Sequence, residues 1–138
     1  MRAIDTHLHL WDPRQLGYAW LRGIALLDQP HLIQDYRRAC AGLDVEAMVF
    51  VECVADAAQF EDEVRFVEKQ AREDPRLKGI VAQADLAQGA GVATSLERLK
   101  ATTPLLRGIR QNIEAQPDPE FCLRSQRCPT FTAKSRAS

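Results

Sequence analysis

The sequence predicts an α/β protein in which successive βα units build a parallel sheet. Three observations carry this. Four short apolar runs recur along the chain, at Ile4–Leu10, Val45–Val54, Leu77–Ala84 and Leu105–Arg110. Segments with helical periodicity separate the later runs, and polar side chains capable of chemistry stand within or at the end of each run. Strands alternating with helices at this spacing pair in parallel, and the polar residues at their carboxyl ends converge on one site.

The first run, Ile4-Asp5-Thr6-His7-Leu8-His9-Leu10, carries two of the three histidines. Strict alternation along a strand puts Asp5, His7 and His9 on one face and Ile4, Thr6, Leu8 and Leu10 on the other. Two imidazoles at i and i+2 can aim at a single point, which suits a divalent metal ion or a pair of proton carriers. By spacing alone, such a pair and two histidines satisfied by backbone partners are both open. The stretch from Trp11 to Pro30, with Gly17, Gly23 and two tryptophans, reads as a long loop leaving the carboxyl end of this strand. Long loops within a compact domain are usually functional. Trp11, Tyr18 and Trp20 either pack that loop down or touch a substrate.

From His31 to Ala41 the residues Leu32, Ile33, Tyr36 and Cys40 share one helical face, and Gly42 is a natural stop. His31, at the front of this helix, is expected in a surface or capping role. Val45–Val54 is nearly continuous in apolar residues and rich in β-branched ones, as in a strand covered on both faces; Glu52 near its end is the exception. Asp56 is expected to cap a helix running to about Asp74, with Gln59 at the capping-box position and Phe60, Val64, Val67 and Ala71 facing inward. Pro75 ends it. Leu77–Ala84 is the third strand, followed by Asp85, and the segment from Gly91 to Ala101 is a shorter helix with Val92, Leu96 and Leu99 inward. Pro104 introduces the fourth strand, Leu105–Arg110, which runs into Gln111 and Asn112. Pro117–Arg124 suits one more helical turn. From Gln126 the chain turns basic and Ser/Thr-rich without hydrophobic period, so residues 126–138 form a tail that holds no regular element.

Composition narrows the class. With 138 residues, 46% hydrophobic and 27% charged, the chain matches a soluble globular domain. A formal net charge of -1 gives no electrostatic reason to expect nucleic acid or a membrane surface as partner. No apolar run reaches the roughly 18 residues of a spanning helix, and Met1-Arg2-Ala3 leads straight into the first strand, so the cytoplasm is the expected compartment. Cys40, Cys53, Cys122 and Cys128 contain no C-x-x-C pair, which favours reduced thiols over a disulfide framework.

Metal-assisted hydrolysis needs about three protein ligands, an open position for water and a base. His7 and His9 supply two ligands, and Glu52 is the candidate for a further carboxylate. Asp85 is weaker, because an aspartate between strand and loop is commonly a cap. Arg110 has the wrong charge for a ligand and the right one for gripping a carboxylate or polarising a carbonyl.

Ile4-Asp5-Thr6-His7-Leu8-His9-Leu10-Trp11-Asp12-Pro13 resembles the opening of the amidohydrolase superfamily, in particular its amidohydrolase-related branch of sugar-acid lactonases and relatives of 2-pyrone-4,6-dicarboxylate lactonase. Val49-Phe50-Val51-Glu52, the segment from Gly79 to Leu86 and Arg107-Gly108-Ile109-Arg110-Gln111-Asn112-Ile113 are similar to that branch in the same order. The resemblance implies a (β/α)8 TIM-type barrel, truncated here to about its first four βα units within residues 1–125. It implies hydrolysis of a small-molecule lactone, with a lactone or carboxylate as ligand, to a hydroxy acid. His7 and His9 would match the histidine pair of the first strand, as metal ligands or catalytic groups together with Arg110. Glu52, Arg110 and Trp11 would contact substrate, and Glu52 could join the metal. Zinc is the preferred ion, and some members of the branch work without a tightly bound metal. A decarboxylase of aromatic acids and a non-catalytic half-barrel are the rival readings. A barrel of this kind takes ~250 residues, so the later histidines and the final aspartate of the family have no counterpart here. The change of character at Ser125 reads as a frameshift, an alternative exon end or a broken gene model, and a chain of this length is expected to self-associate through its open edges.

Overall fold

The computed structural model describes residues 2–113. Over this range the chain forms β1 (Arg2–Leu8), α1 (Ile33–Ala39), β2 (Asp44–Val51), α2 (Phe60–Glu73), β3 (Leu77–Gln83), α3 (Val92–Thr102) and β4 (Leu106–Arg110). Single 3-10 segments precede α2 and α3, and another, Ala19–Leu21, lies in the loop after β1. The helix expected over Pro117–Arg124 and the tail from Gln126 lie outside the described residues.

The four strands form one parallel sheet in the order β1-β2-β3-β4, as predicted for consecutive βα units. One face of that sheet is closed by the helices. Met48 and Phe50 of β2 and Ile80 and Ala82 of β3 are completely buried there, with Val64 and Val67 of α2, Ile33 of α1 and Leu99 of α3 in the same core. The other face is more open: Ala47, Val49, Val81 and Gln83 are half-buried, and Ile4 is 61% exposed.

β1 departs from strict alternation. Asp5 pairs with Met48 and Leu8 with Phe50, so three steps along β1 match two along β2. One extra residue in a strand is a β-bulge, and it changes which face the following side chains take. Asp5 and Leu8 therefore share the helix-facing side, where Asp5 accepts a hydrogen bond from Tyr36 Oη of α1 at 3.0 Å. Leu8 and Leu10 are buried while His7 and His9 are exposed. The expected grouping of Asp5 with the two histidines, and of Ile4 with Leu8, is corrected accordingly: the histidines face the open side with Ile4.

α2 is the best-formed helix, and its buried stripe explains its placement. Val64, Val67 and Ala71 face inward as expected, while Glu63, Phe66 and Gln70 are buried beside them. Glu61 and Asp62 stand in its first turn, where their negative charge complements the partial positive charge of the exposed amides. Gln59 does not form the expected capping box. A 3-10 turn at Ala57–Gln59 comes first, and Gln59 Oε1 instead accepts from Gly17 N–H at 2.7 Å, tying the loop after β1 to the start of α2.

α1 is shorter than expected, because Leu32 is its N-cap and donates its N–H to Asp35 Oδ2 at 2.7 Å. His31 is not a surface or capping residue. It is half-buried, its ring 4.3 Å from that of Trp11, and the two residues exchange backbone hydrogen bonds. At the amino-terminal end of the sheet, Asp74 is 2% exposed and accepts from Arg37 Nε at 2.8 Å and Arg76 Nη2 at 2.7 Å. These side chains join α1 to the turn between α2 and β3.

Candidate functional site

The candidate residues gather where β1, β2 and β4 reach their carboxyl ends. β2 stops at Val51, three residues earlier than expected, because Glu52 turns its own carboxylate back and accepts from Val54 N–H at 2.7 Å. Val54 holds φ of +56°, unusual for a β-branched residue. Strain of this kind persists only where neighbours over-determine it. Here Trp20 Nε1 donates to Cys53 O at 2.7 Å, and Cys53 N–H donates to Glu63 Oε1 at 3.2 Å.

A cavity of about 500 Å³ opens at this turn. His9, Glu52 and Arg110 contribute its polar lining, and Trp11, Trp20 and Val54 part of its apolar wall. Glu52 is fully buried and its Oε1 lies 3.3 Å from Arg110 Nε, an ion pair that spans β3. Among the described residues, neither Glu52 Oε1 nor Arg110 Nη1 has a partner in hydrogen-bond geometry, although both atoms are buried.

His9 Nδ1 lies 2.9 Å from Val51 O. A carbonyl can only accept, so Nδ1 carries the proton and Nε2 is left with its lone pair. Desolvation holds the His9 pKa below the usual histidine value, with His7 and Arg110 acting in the same direction against the Val51 carbonyl and Glu52. His9 is therefore neutral at neutral pH. His7 sits beside it, ring centroids 4.8 Å apart and edge to face. Cys53 Sγ is 3.6 Å from His9 Nδ1 but is no nucleophile, because burial pushes its thiol pKa far above the usual range.

The remaining candidates sort clearly. Asp85 is a cap: its carboxylate accepts from Ala87 N–H at 3.1 Å and Gln88 Nε2 at 3.1 Å, and it lines an adjoining, larger hollow of about 890 Å³ beside α2 and α3, which shares Val54 and Asn112 with the cavity. Glu63 was missed by the sequence reading. It is 1% exposed, and burial raises its carboxyl pKa to about 8. The available signal was its place in the α2 stripe, four residues before Val67. Trp20, read as either loop packing or a substrate contact, and Asn112, read as a strand end, also line the cavity.

Among the described residues, no group of three or more histidine, cysteine, aspartate or glutamate side chains could hold a metal ion. His7 and His9 offer two nitrogens. Glu52, the third expected donor, has Oε2 on a backbone amide and Oε1 against a guanidinium. The described residues do not by themselves make up a metal centre.

No family model matches the sequence, and no curated relative does. Solved structures do. An amidohydrolase from Burkholderia multivorans, solved with bound zinc, is 22% identical with a TM-score of 0.67, over 90% of this chain and 42% of that one. A probable 2-pyrone-4,6-dicarboxylic acid hydrolase from Acinetobacter baumannii, solved with citric acid bound, is 18% identical with a TM-score of 0.62, over 95% and 44%. Amidohydrolase 2 from Bifidobacterium longum subsp. infantis is 29% identical with a TM-score of 0.52, over 62% and 33%. This chain thus spans less than half the length of each of the three. The resemblance read from the sequence holds at the level of the fold: the described residues form part of the fold of the amidohydrolase barrels, a parallel sheet of four strands with a helix after each of the first three.

Proposed function

We propose that this chain provides the first half of the active site of a hydrolase that opens a carboxylate-bearing lactone to a hydroxy acid. The observation that carries the reading is the cavity in which neutral His9, the Glu52–Arg110 pair and the two tryptophans meet. His9 Nε2, its tautomer fixed by the Val51 carbonyl, accepts a proton as water attacks the lactone carbonyl carbon. The tetrahedral intermediate collapses by breaking the ring C–O bond, and the proton passes to the departing alkoxide. Arg110, which lines the cavity and keeps part of its side chain exposed, holds the substrate carboxylate, or the oxygen on which charge develops, through its guanidinium. Glu52 fixes the guanidinium from behind, and Trp11 and Trp20 cover the sugar or pyrone face.

A charge-assisted hydrogen bond is worth about 1.5–3 kcal/mol, so its loss weakens binding by about 10- to 100-fold. Citrate and aldonate acids should quench the fluorescence of Trp11 and Trp20 in the 138-residue chain, and Arg110→Ala should raise the apparent Kd by that factor. Equal affinity in the two proteins would sink the reading. Turnover is tested separately, by acid release from a panel of aldonolactones and 2-pyrone-4,6-dicarboxylate. Carbon dioxide release from an aromatic acid, with no lactone opened, would replace the hydrolase with a decarboxylase.

A further inference from the structure

We propose that Glu63, a residue of α2 outside the cavity wall, is the positioning residue that sets the active-site turn, by holding the Cys53 peptide against the strained Val54. The inference rests on the proposed site, but its geometry stands independently. Cys53 is gripped on both sides of its backbone: Glu63 Oε1 accepts its N–H at 3.2 Å, and Trp20 Nε1 donates to its carbonyl at 2.7 Å. The next residue, Val54, is the only non-glycine residue with positive φ among those described, and its N–H is the donor that fixes Glu52 Oε2. The chain of contacts thus runs from α2 through Cys53 to the cavity's aromatic wall and to the carboxylate behind Arg110.

The Cys53 thiol lies against the Leu10 and Val51 carbonyls, and among the described residues its backbone N–H donates to Glu63 Oε1. Glu63 is 1% exposed and its second oxygen has no hydrogen-bond partner. Burying a carboxyl group in a helix stripe that apolar side chains would fill is unfavourable. Its position is explained by the amide it satisfies. Tyr18, also buried, adds the loop after β1 to the same pocket, since its hydroxyl and the Glu63 carboxyl each perturb the other's proton affinity.

The test is amide and indole hydrogen exchange by NMR on the full 138-residue chain at pH 6.5, comparing wild type with Glu63→Met and Glu63→Gln. Methionine keeps the volume and removes the acceptor; glutamine keeps a carbonyl oxygen. In Glu63→Met, exchange of the Cys53 amide and the Trp20 indole should speed up by at least about tenfold, while amides in the middle of α2 and β3 keep their wild-type rates. Glu63→Gln should restore protection to within about threefold of wild type. A merely structural role would move the core amides as much as the turn, and that result overturns the proposal. So does unchanged Trp20 exchange in Glu63→Met. Should the methionine variant not fold, the wild-type chain decides: a Cys53 amide exchanging at the rate of an unstructured one refutes the proposal, and protection of about a hundredfold or more upholds it. None of these readouts depends on turnover, so failure of the lactonase reading and failure of this one are separable.

Discussion

Glu63→Gln should make the protein more stable at alkaline pH while leaving it nearly unchanged in mild acid. Burial raises the Glu63 carboxyl from its usual 4.5 to about 8. Between those values the unfolded chain has released this proton and the folded chain still holds it, so stability falls as pH rises, and the loss is complete above about 8. At about 1.36 kcal/mol per pH unit, the span amounts to about 5 kcal/mol, a large share of a small domain's 5–15 kcal/mol. Glutamine cannot ionise and loses none of it. Urea unfolding followed by tryptophan fluorescence, from pH 5 to pH 9, gives the comparison. The two proteins should agree to within about 1 kcal/mol at pH 5. At pH 8.5 the variant should lead by about 3–5 kcal/mol. His9, whose lowered pKa adds stability as pH rises towards 6.5, titrates in both proteins and cancels in the difference. Parallel curves across the whole range would refute the burial argument for Glu63.

Two further outcomes follow from the structure. Asp74→Asn removes a buried carboxylate that Arg37 and Arg76 both hold, and should cost about 3 kcal/mol in urea unfolding at pH 7. Because the arginines keep the Asp74 carboxyl far below its ordinary 3.8, its contribution is present above that value and fades as pH falls below it, so the variant and wild type should converge in strong acid. In isothermal titration, zinc should bind the chain only weakly through His7 and His9, and His7→Ala should abolish that binding; zinc retained through dialysis against a chelator would show a third donor.

Much of the fold was legible because it rests on repeated local patterns. Val45–Val51, Leu77–Gln83 and the α2 stripe each announce themselves in a short window, and parallel pairing follows from their alternation. What period-two reading missed in β1 was non-local. The bulge after Asp5 is a mismatch with β2, visible only when both strands are aligned. The site was half legible for the same reason. His9, Glu52 and Arg110 stand at strand ends and were found there. Glu63 was hidden because a helix stripe is read for its apolar members, and its partner is a backbone amide ten residues away. Gln59 shows the reverse error: a local motif suggested a cap, and the loop after β1 claimed the side chain.

The second of the two slips in β1, the one after Asp5, also separates the histidines from the residues before them. Upstream of Thr6, gaining or losing one residue shifts Arg2 to Asp5 against β2 and leaves the histidines where they are. One residue gained between Thr6 and His7 exchanges inside for outside, driving both imidazoles into the helix-packed core and Leu8 and Leu10 into the open face. A single codon gained there would dismantle the candidate site without changing any residue of it.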